Sequence, residues 1–349
     1  MIERIERFEG SPPDGWNDLV RRLGGTVFHS VEWAEYQRAS SGGTPWFLAA
    51  YAGSEPVGGA VATLHRSSRP ILSRLFRSLE VASHPFGEEA GAREELLRAL
   101  EALGRDSGCA TIDLQSFQSG ESPIRPERHG FREEARVEFV VDLSRGLDEV
   151  WRGIAKGQRE RIRKLERLGL SVAIGTERTD LEALRAARQE THDKRVRRGQ
   201  AYALTGDEAF YDRLHRWVLA RGIGRLFVAR REGVPVAALL FSTFHGRAYS
   251  MFSGSSEEGY KLGAQSLLFW RAVESFHADG FTELNRGGVP GASEREDHPL
   301  HGIYQFKRQL GGTPVRCYSG SKVLSPARHA LMRWSARLRG GAHEAEGEA

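Results

Sequence analysis

The chain has 349 residues, 40% hydrophobic and 28% charged, the profile of a globular protein long enough for two domains with separate cores. No apolar run approaches the roughly 20 residues of a membrane span, and Met1 to Gly10 alternates acid and base where a secretory signal would carry an apolar core, so a cytoplasmic location is expected. The net charge of +4 is modest, and Cys109 and Cys317 are too few for a disulfide framework or a thiolate metal site; with no helical ligand pair among the twelve histidines, no metal is expected.

Trp16 to Leu23 reads as a short helix stopped by Gly24-Gly25, and Phe28 to Trp33 leads into a second that ends near Gly43. Trp46 to Tyr51 and Pro56 to Leu64 are apolar runs around a small-residue turn, which predicts a β-hairpin. Glu88 to Arg105 carries Leu96, Leu97, Leu100 and Leu103 at helical spacing; Gly108 follows, then a strand over Ala110 to Leu114. Val137 to Leu143 reads as the strand entering a second domain. A helix is expected over Leu147 to Leu168, with Trp151, Ile154, Ile162, Leu165 and Leu168 on one side and Arg152, Lys156, Arg159, Arg163 and Arg167 largely off it. Seven Lys or Arg lie between Arg152 and Arg167, which makes an anionic ligand nearby plausible. Two further helices follow, Asp180 to about Arg197 and Asp207 to Ala220.

The second half then repeats the first. Leu226 to Ala229 and Pro235 to Phe241 form a hairpin, Leu262 to Ala278 a helix, and Gly280 precedes a strand over Phe281 to Leu284. Gly53 and Gly233 each stand six residues after a Phe, and duplication of one α/β unit explains this order economically. Pro326 to Arg339 is a basic amphipathic helix with Ala327, Leu331, Trp334 and Leu338 as its apolar side. That side either docks back onto the protein or lies on an anionic membrane, which one short helix would bind only weakly. Glu344 to Glu348 is an acidic end expected to fray.

One stretch carries the most chemistry, Gly302 to Gly312, where an aromatic and basic run sits between glycines able to let backbone approach a ligand closely. Lys307 is its candidate. The chain has six Lys against 44 Arg, so a Lys here hints that a compact ammonium is wanted; a surface turn with a solvated Lys is the plain alternative.

These residues resemble a known family. Trp151-Arg-Gly-Ile-Ala-Lys-Gly-Gln-Arg-Glu-Arg-Ile-Arg-Lys, closing at Gly169, is similar to the Trp and Arg-x-x-Ile-Arg-Lys signature of the FemAB family and its BioF2-like acyltransferase relatives. Gly302-Ile-Tyr-Gln-Phe-Lys-Arg-Gln-Leu-Gly-Gly resembles that family's Gly-x-x-x-Phe-Lys-x-x-Phe-Gly-Gly motif, and the likeness extends to Phe28–Trp33 and Asn285–Gly288. It implies two tandem GNAT-like domains, each a mixed twisted sheet flanked by helices, in an α/β (α+β) class: residues 1–134, then 135–318 carrying the Phe-Lys motif, then a C-terminal helix and tail, 319–349, packing back on the first domain. The implied reaction moves an aminoacyl group from aminoacyl-tRNA, or an acyl group from coenzyme A, to an amine of a UDP-linked or lipid-linked sugar-peptide precursor, with no tightly bound cofactor. By the same resemblance Lys307 stabilises developing negative charge and Arg159 and Arg163 face acceptor phosphates. Leu310 stands where Phe is common, and Asn285-Arg286 where many members have Asp-Phe, which leaves the local polar chemistry open. The segment Asp180 to Arg221 is too short for the coiled-coil arm of many tRNA-dependent members.

Amide formation needs a free amine, a donor carbonyl held in line and positive groups where the oxyanion forms. No nucleophile and base motif is present, so direct attack in a ternary complex is expected. Lys307 would stabilise the oxyanion, Tyr304 and Phe306 would wall the site, and Gly287-Gly288 would admit the donor. Asp113 would orient the amine or accept its proton, or simply cap a strand. Gly259 to Ala264 is a partial match to a pyrophosphate loop without its leading Arg or Gln. The expected activity is N-acyl or aminoacyl transfer in peptidoglycan-type metabolism. An acetyl-CoA-dependent N-acyltransferase of exopolysaccharide or small molecules, and a non-catalytic RNA-binding or assembly scaffold, are the alternatives.

Overall fold

The computed structural model describes residues 2–67, 76–120, 124–197 and 206–338; the acidic end lies outside them. The chain divides into two compact units, one made of the residues up to Val137 and those from Arg316, the other of Glu138–Val315. The first begins with β1 (Arg4–Glu9), α1 (Trp16–Arg22), α2 (Val31–Ser41), β2 (Thr44–Ala52), β3 (Glu55–Arg66), β4 (Arg77–Val81), the short β5 (Phe86–Gly87), α3 (Ala90–Asp106) and β6 (Thr111–Leu114). β2 and β3 form the expected hairpin, and α3 lays Leu96, Leu97, Leu100 and Leu103 over it, burying them with Leu48, Leu64 and Ile112. β4 was not legible in the sequence. It pairs antiparallel with β3 and parallel with β6, whose start is set by Gly108 at φ +68°.

β7 (Arg132–Asp142) carries the chain into the second unit. There follow α4 (Leu147–Gly153), α5 (Lys156–Arg167), β8 (Ser171–Gly175), α6 (Asp180–Arg197), α7 (Glu208–Leu214) continued by a wider π turn, β9 (Gly224–Arg231), β10 (Val234–Phe244), β11 (Arg247–Ser255), α8 (Glu257–Leu262), α9 (Ala264–Ala278), β12 (Glu283–Pro290) and α10 (His301–Gln309). The strand order is β7-β12-β11-β10-β9-β8. Ile162 and Leu165 of α5 pack with Leu267, Leu268 and Phe276 of α9 against Phe227 and Phe241 of the hairpin.

Two expected helices are each broken, for stated reasons. The long one parts at Ile154, which is extended, because Gly311 packs against Gly153: a Cβ on Gly311 would stand 3.1 Å from the Gly153 carbonyl, and Ala155 N donates to Gln309 O. Leu168, expected on its apolar side, is exposed. The helix expected from Leu262 is interrupted by Gly263 in the left-handed region, leaving α8 and α9.

β13 (Thr313–Val323) returns to the first unit, pairing antiparallel with β6 from Gly320 opposite Leu114 to Val323 opposite Thr111, and α11 (Pro326–Leu338) follows. Arg328 donates to the Gly108 carbonyl, and Arg328, His329 and Met332 are partly buried, whereas Ala327, Leu331 and Trp334 are exposed. Ala327, Leu331 and Trp334 of the expected apolar side do not dock. The cationic side of the helix does, because the surface beneath offers a carbonyl at Gly108 and the Asp113 carboxyl near His329.

Candidate active site

The site is built where two parallel strands part. β11 and β12 pair from Arg247 opposite Glu283 to Tyr249 opposite Asn285. Gly287 then takes φ +67°, a conformation that favours glycine and turns the strand out of register. A Cβ there would fall 3.1 Å from Ser250 O, 3.5 Å from Lys307 Nζ and 3.8 Å from Tyr249 Oη, so the missing side chain leaves a space faced by an ammonium and a phenol.

Lys307 is on α10, not in a loop between glycines; Gly302 is itself helical with open space around it. The ammonium donates to Arg286 O while the Arg286 guanidinium donates to Lys307 O, a reciprocal clamp of α10 to β12. Arg286 is buried with its guanidinium 4.2 Å from the Phe269 ring centroid, and desolvation pushes its pKa down to about 9, still charged at neutral pH. The departure at Asn285-Arg286 thus has a structural use. Asn285 donates to Glu138 Oε2 at 2.7 Å and accepts from Gly287 N at 2.8 Å, while Tyr249 donates to Glu138 Oε1 at 3.2 Å. Glu138 is 0% exposed. Sequence reasoning passed over it; the signal was one acid inside the apolar run Val137 to Val141.

The same unit holds a cavity of about 1370 Å³, whose lining includes none of Glu138, Tyr249, Asn285, Gly287 or Lys307. Its charged lining is Arg161, Lys194, Arg195, Arg197 and Lys261 against Glu190, Asp193 and Glu257, an excess of positive charge suited to an anion. Gly302, Ile303 and Phe306 of α10 line it too, and Phe306 also packs on the core. Buried polar bonds tie these elements together: Gln158 of α5 donates to Gln309 Oε1 at 2.8 Å and accepts from Ser266 Oγ of α9 at 2.8 Å. The partial pyrophosphate loop has packing reasons for both glycines. A Cβ on Gly259 would stand 2.0 Å from Val236 O, and one on Gly263 2.6 Å from Arg161 Cδ.

The other candidates divide. Tyr304 stands edge-on to Phe139 at 5.4 Å, and Gly288 is half-buried next to Gly287. Arg159 donates to the carbonyls of Trp151 and Arg152, and Arg163 lies over the Trp151 ring at 5.4 Å. Neither lines the cavity; Arg161, which the sequence reading did not single out, does. Asp113 is in the first unit, accepting from Thr111 Oγ1 at 3.4 Å, with its pKa raised by burial and then by the Glu80 carboxylate. Among the described residues no cluster of His, Cys, Asp or Glu could hold a metal ion, and no helix is long and apolar enough to cross a membrane.

Residues 154–308 match the family model described as an acetyltransferase (GNAT) domain. Among solved structures the chain is similar to FemX, at 13% identity over 95% of this chain and 99% of that one, with a TM-score of 0.69. It is also similar to L-PGS from Bacillus licheniformis, at 16% identity over 94% and 97% with a TM-score of 0.53. A tandem GNAT protein from the clavulanic acid biosynthesis pathway aligns at 12% identity over 93% and 99% with a TM-score of 0.50. No curated protein matches by sequence. Residues 154–308 thus carry a GNAT domain, the domain of acyltransferases, and the fold of the chain is GNAT-like. The fold is similar to those of FemX and of the tandem GNAT protein, two GNAT-type units in one chain.

Proposed function

We propose that this chain transfers an acyl group from a coenzyme A thioester to an amine of an anionic, cell-envelope type sugar-peptide precursor. The observation that carries this reading is the convergence of Lys307 Nζ and Tyr249 Oη on the space left by Gly287, with Lys307 on the helix, α10, whose Gly302, Ile303 and Phe306 line a cavity with excess positive charge. The amine nitrogen attacks the thioester carbon; the C–N bond forms, the C–S bond breaks, and the nitrogen's proton leaves with the thiolate or to water. Lys307 stabilises the oxyanion in between, a preorganised donor of the kind that makes the largest single contribution in acyl transfer, while Tyr249, whose hydroxyl proton goes to Glu138, walls the same space. Glu138 and Asn285 are positioning residues that hold Tyr249 and the Gly287 backbone. Arg161 and Lys261 take the donor's phosphates. The peptidoglycan acceptor rests on the likeness to FemX, and the thioester donor on the GNAT match.

The test is mass spectrometry of a UDP-linked muramyl pentapeptide incubated with the protein, acetyl-CoA and a pool of charged tRNAs. Addition of one acetyl group, lost in Lys307→Ala, is expected. Addition of an amino acid would move the donor to tRNA, and an unchanged mass would remove the peptidoglycan acceptor.

A further inference from the structure

We infer that the outward face of α11 binds an anionic lipid bilayer surface. The helix is turned the wrong way for a helix that serves only the core. Trp334 is 60% exposed and Leu331 37%, one turn apart on the same side as exposed Ala327, while the partly buried side is Arg328, His329 and Met332. Arg328 pins the helix to the Gly108 carbonyl, so this apolar stripe is held outward by a bond on its opposite side.

Charge selects the occupant. From Pro326 to Leu338 the sequence carries Arg328, His329, Arg333 and Arg337 and no Asp or Glu, and Arg333 is exposed beside Trp334. A tryptophan flanked by arginines suits the headgroup level of an anionic leaflet, where the indole sits at the boundary and each cation is attracted to lipid phosphate. A second copy of the chain fits worse. One Trp and one Leu per copy fall far short of the roughly 1,200–2,000 Å² that a stable pair buries, and two copies would set arginine against arginine. This inference does not depend on the proposed reaction.

The experiment is flotation of the full chain with vesicles of phosphatidylcholine alone or containing one third phosphatidylglycerol. Binding is expected on the anionic vesicles only and is lost in high salt. Trp334→Ala and Arg333→Glu should each cut the floated fraction about fivefold, with Trp334→Phe largely retaining it and the melting temperature unchanged in all three. Flotation of Trp334→Ala equal to the parent protein overturns the inference, as does no flotation of the parent. A concentration-dependent dimer that Trp334→Ala dissolves would overturn it in favour of the second copy.

Discussion

The two units share one frame and differ at one place. Strand register puts Asp113 where Asn285 stands and Glu80 where Tyr249 stands, each pair at the same distance along its parallel ladder. In the first unit that ladder runs on, with Gln115 N donating to Val81 O at 2.7 Å and Phe117 N to Ala82 O at 3.3 Å. In the second, Gly287 stands two residues after Asn285, where the first unit has Gln115, and the strands part. The opened ladder is the one with Lys307 beside it; the closed one is covered by a helix, with His329 near Asp113. Duplication supplies the scaffold, and one glycine at this register leaves the space that Lys307 and Tyr249 face.

The sharpest way to break this comparison is Lys307→Ala. Turnover should fall by about 10²–10³, the worth of one oxyanion donor, as single-turnover kinetics on the fixed donor would show, and loss of the bond to Arg286 O should lower the melting temperature by a few degrees. Next in size is an acid effect confined to the first unit. His84 is buried, its ring donates to Tyr318 O at 2.7 Å, and desolvation pushes its pKa from 6.5 down to about 4. Between those values the unfolded chain takes up a proton that the folded chain refuses. Stability is therefore full above pH 6.5 and is lost as pH falls toward 4, by up to about 3 kcal/mol. Urea unfolding across that window should show the slope, and His84→Asn should flatten it.

Gly287→Ala closes the opened ladder directly. Left-handed backbone at alanine costs on the order of 1 kcal/mol, and the methyl would meet Ser250 O; turnover should fall about tenfold without loss of donor binding by calorimetry. The smallest effect is expected from Asp113→Asn, which gives the first unit the residue of the second. Turnover should stay within about twofold; a large loss would bring Asp113 into the chemistry and undo the contrast between the units.

Much of this frame was legible. Both hairpins, the helices over them and the Gly-then-strand pairs announce themselves through period, turn glycines and apolar spacing. β4 and β11 did not. Arg77-Ser-Leu-Glu-Val81 is short and half polar, and the serines and glycine of β11 break its alternation, so each reads as connection until its partners are seen. Gly302 reads as punctuation ahead of the Lys307 run, yet it sits in a helix with nothing pressing on it. The Gly311-Gly312 pair did mark close approach, though to backbone at Gly153 and Val140 and not to a ligand. Lys307 could be named from its motif. Tyr249, Glu138 and Arg161 could not, because their meaning comes from strand register and from a cavity formed by residues far apart in sequence.

That the first unit is interrupted by the second has a consequence for synthesis on the ribosome. The second partner of β6 within its own unit, the Gly320–Val323 part of β13, emerges only after all of Glu138–Val315. Until then the β6 edge has open hydrogen-bonding groups, the kind of edge that invites pairing with the wrong strand. The half translated first is thus finished last, and a chain ending at Val315 would carry all of the second unit's Glu138–Val315 while the first still lacked most of β13.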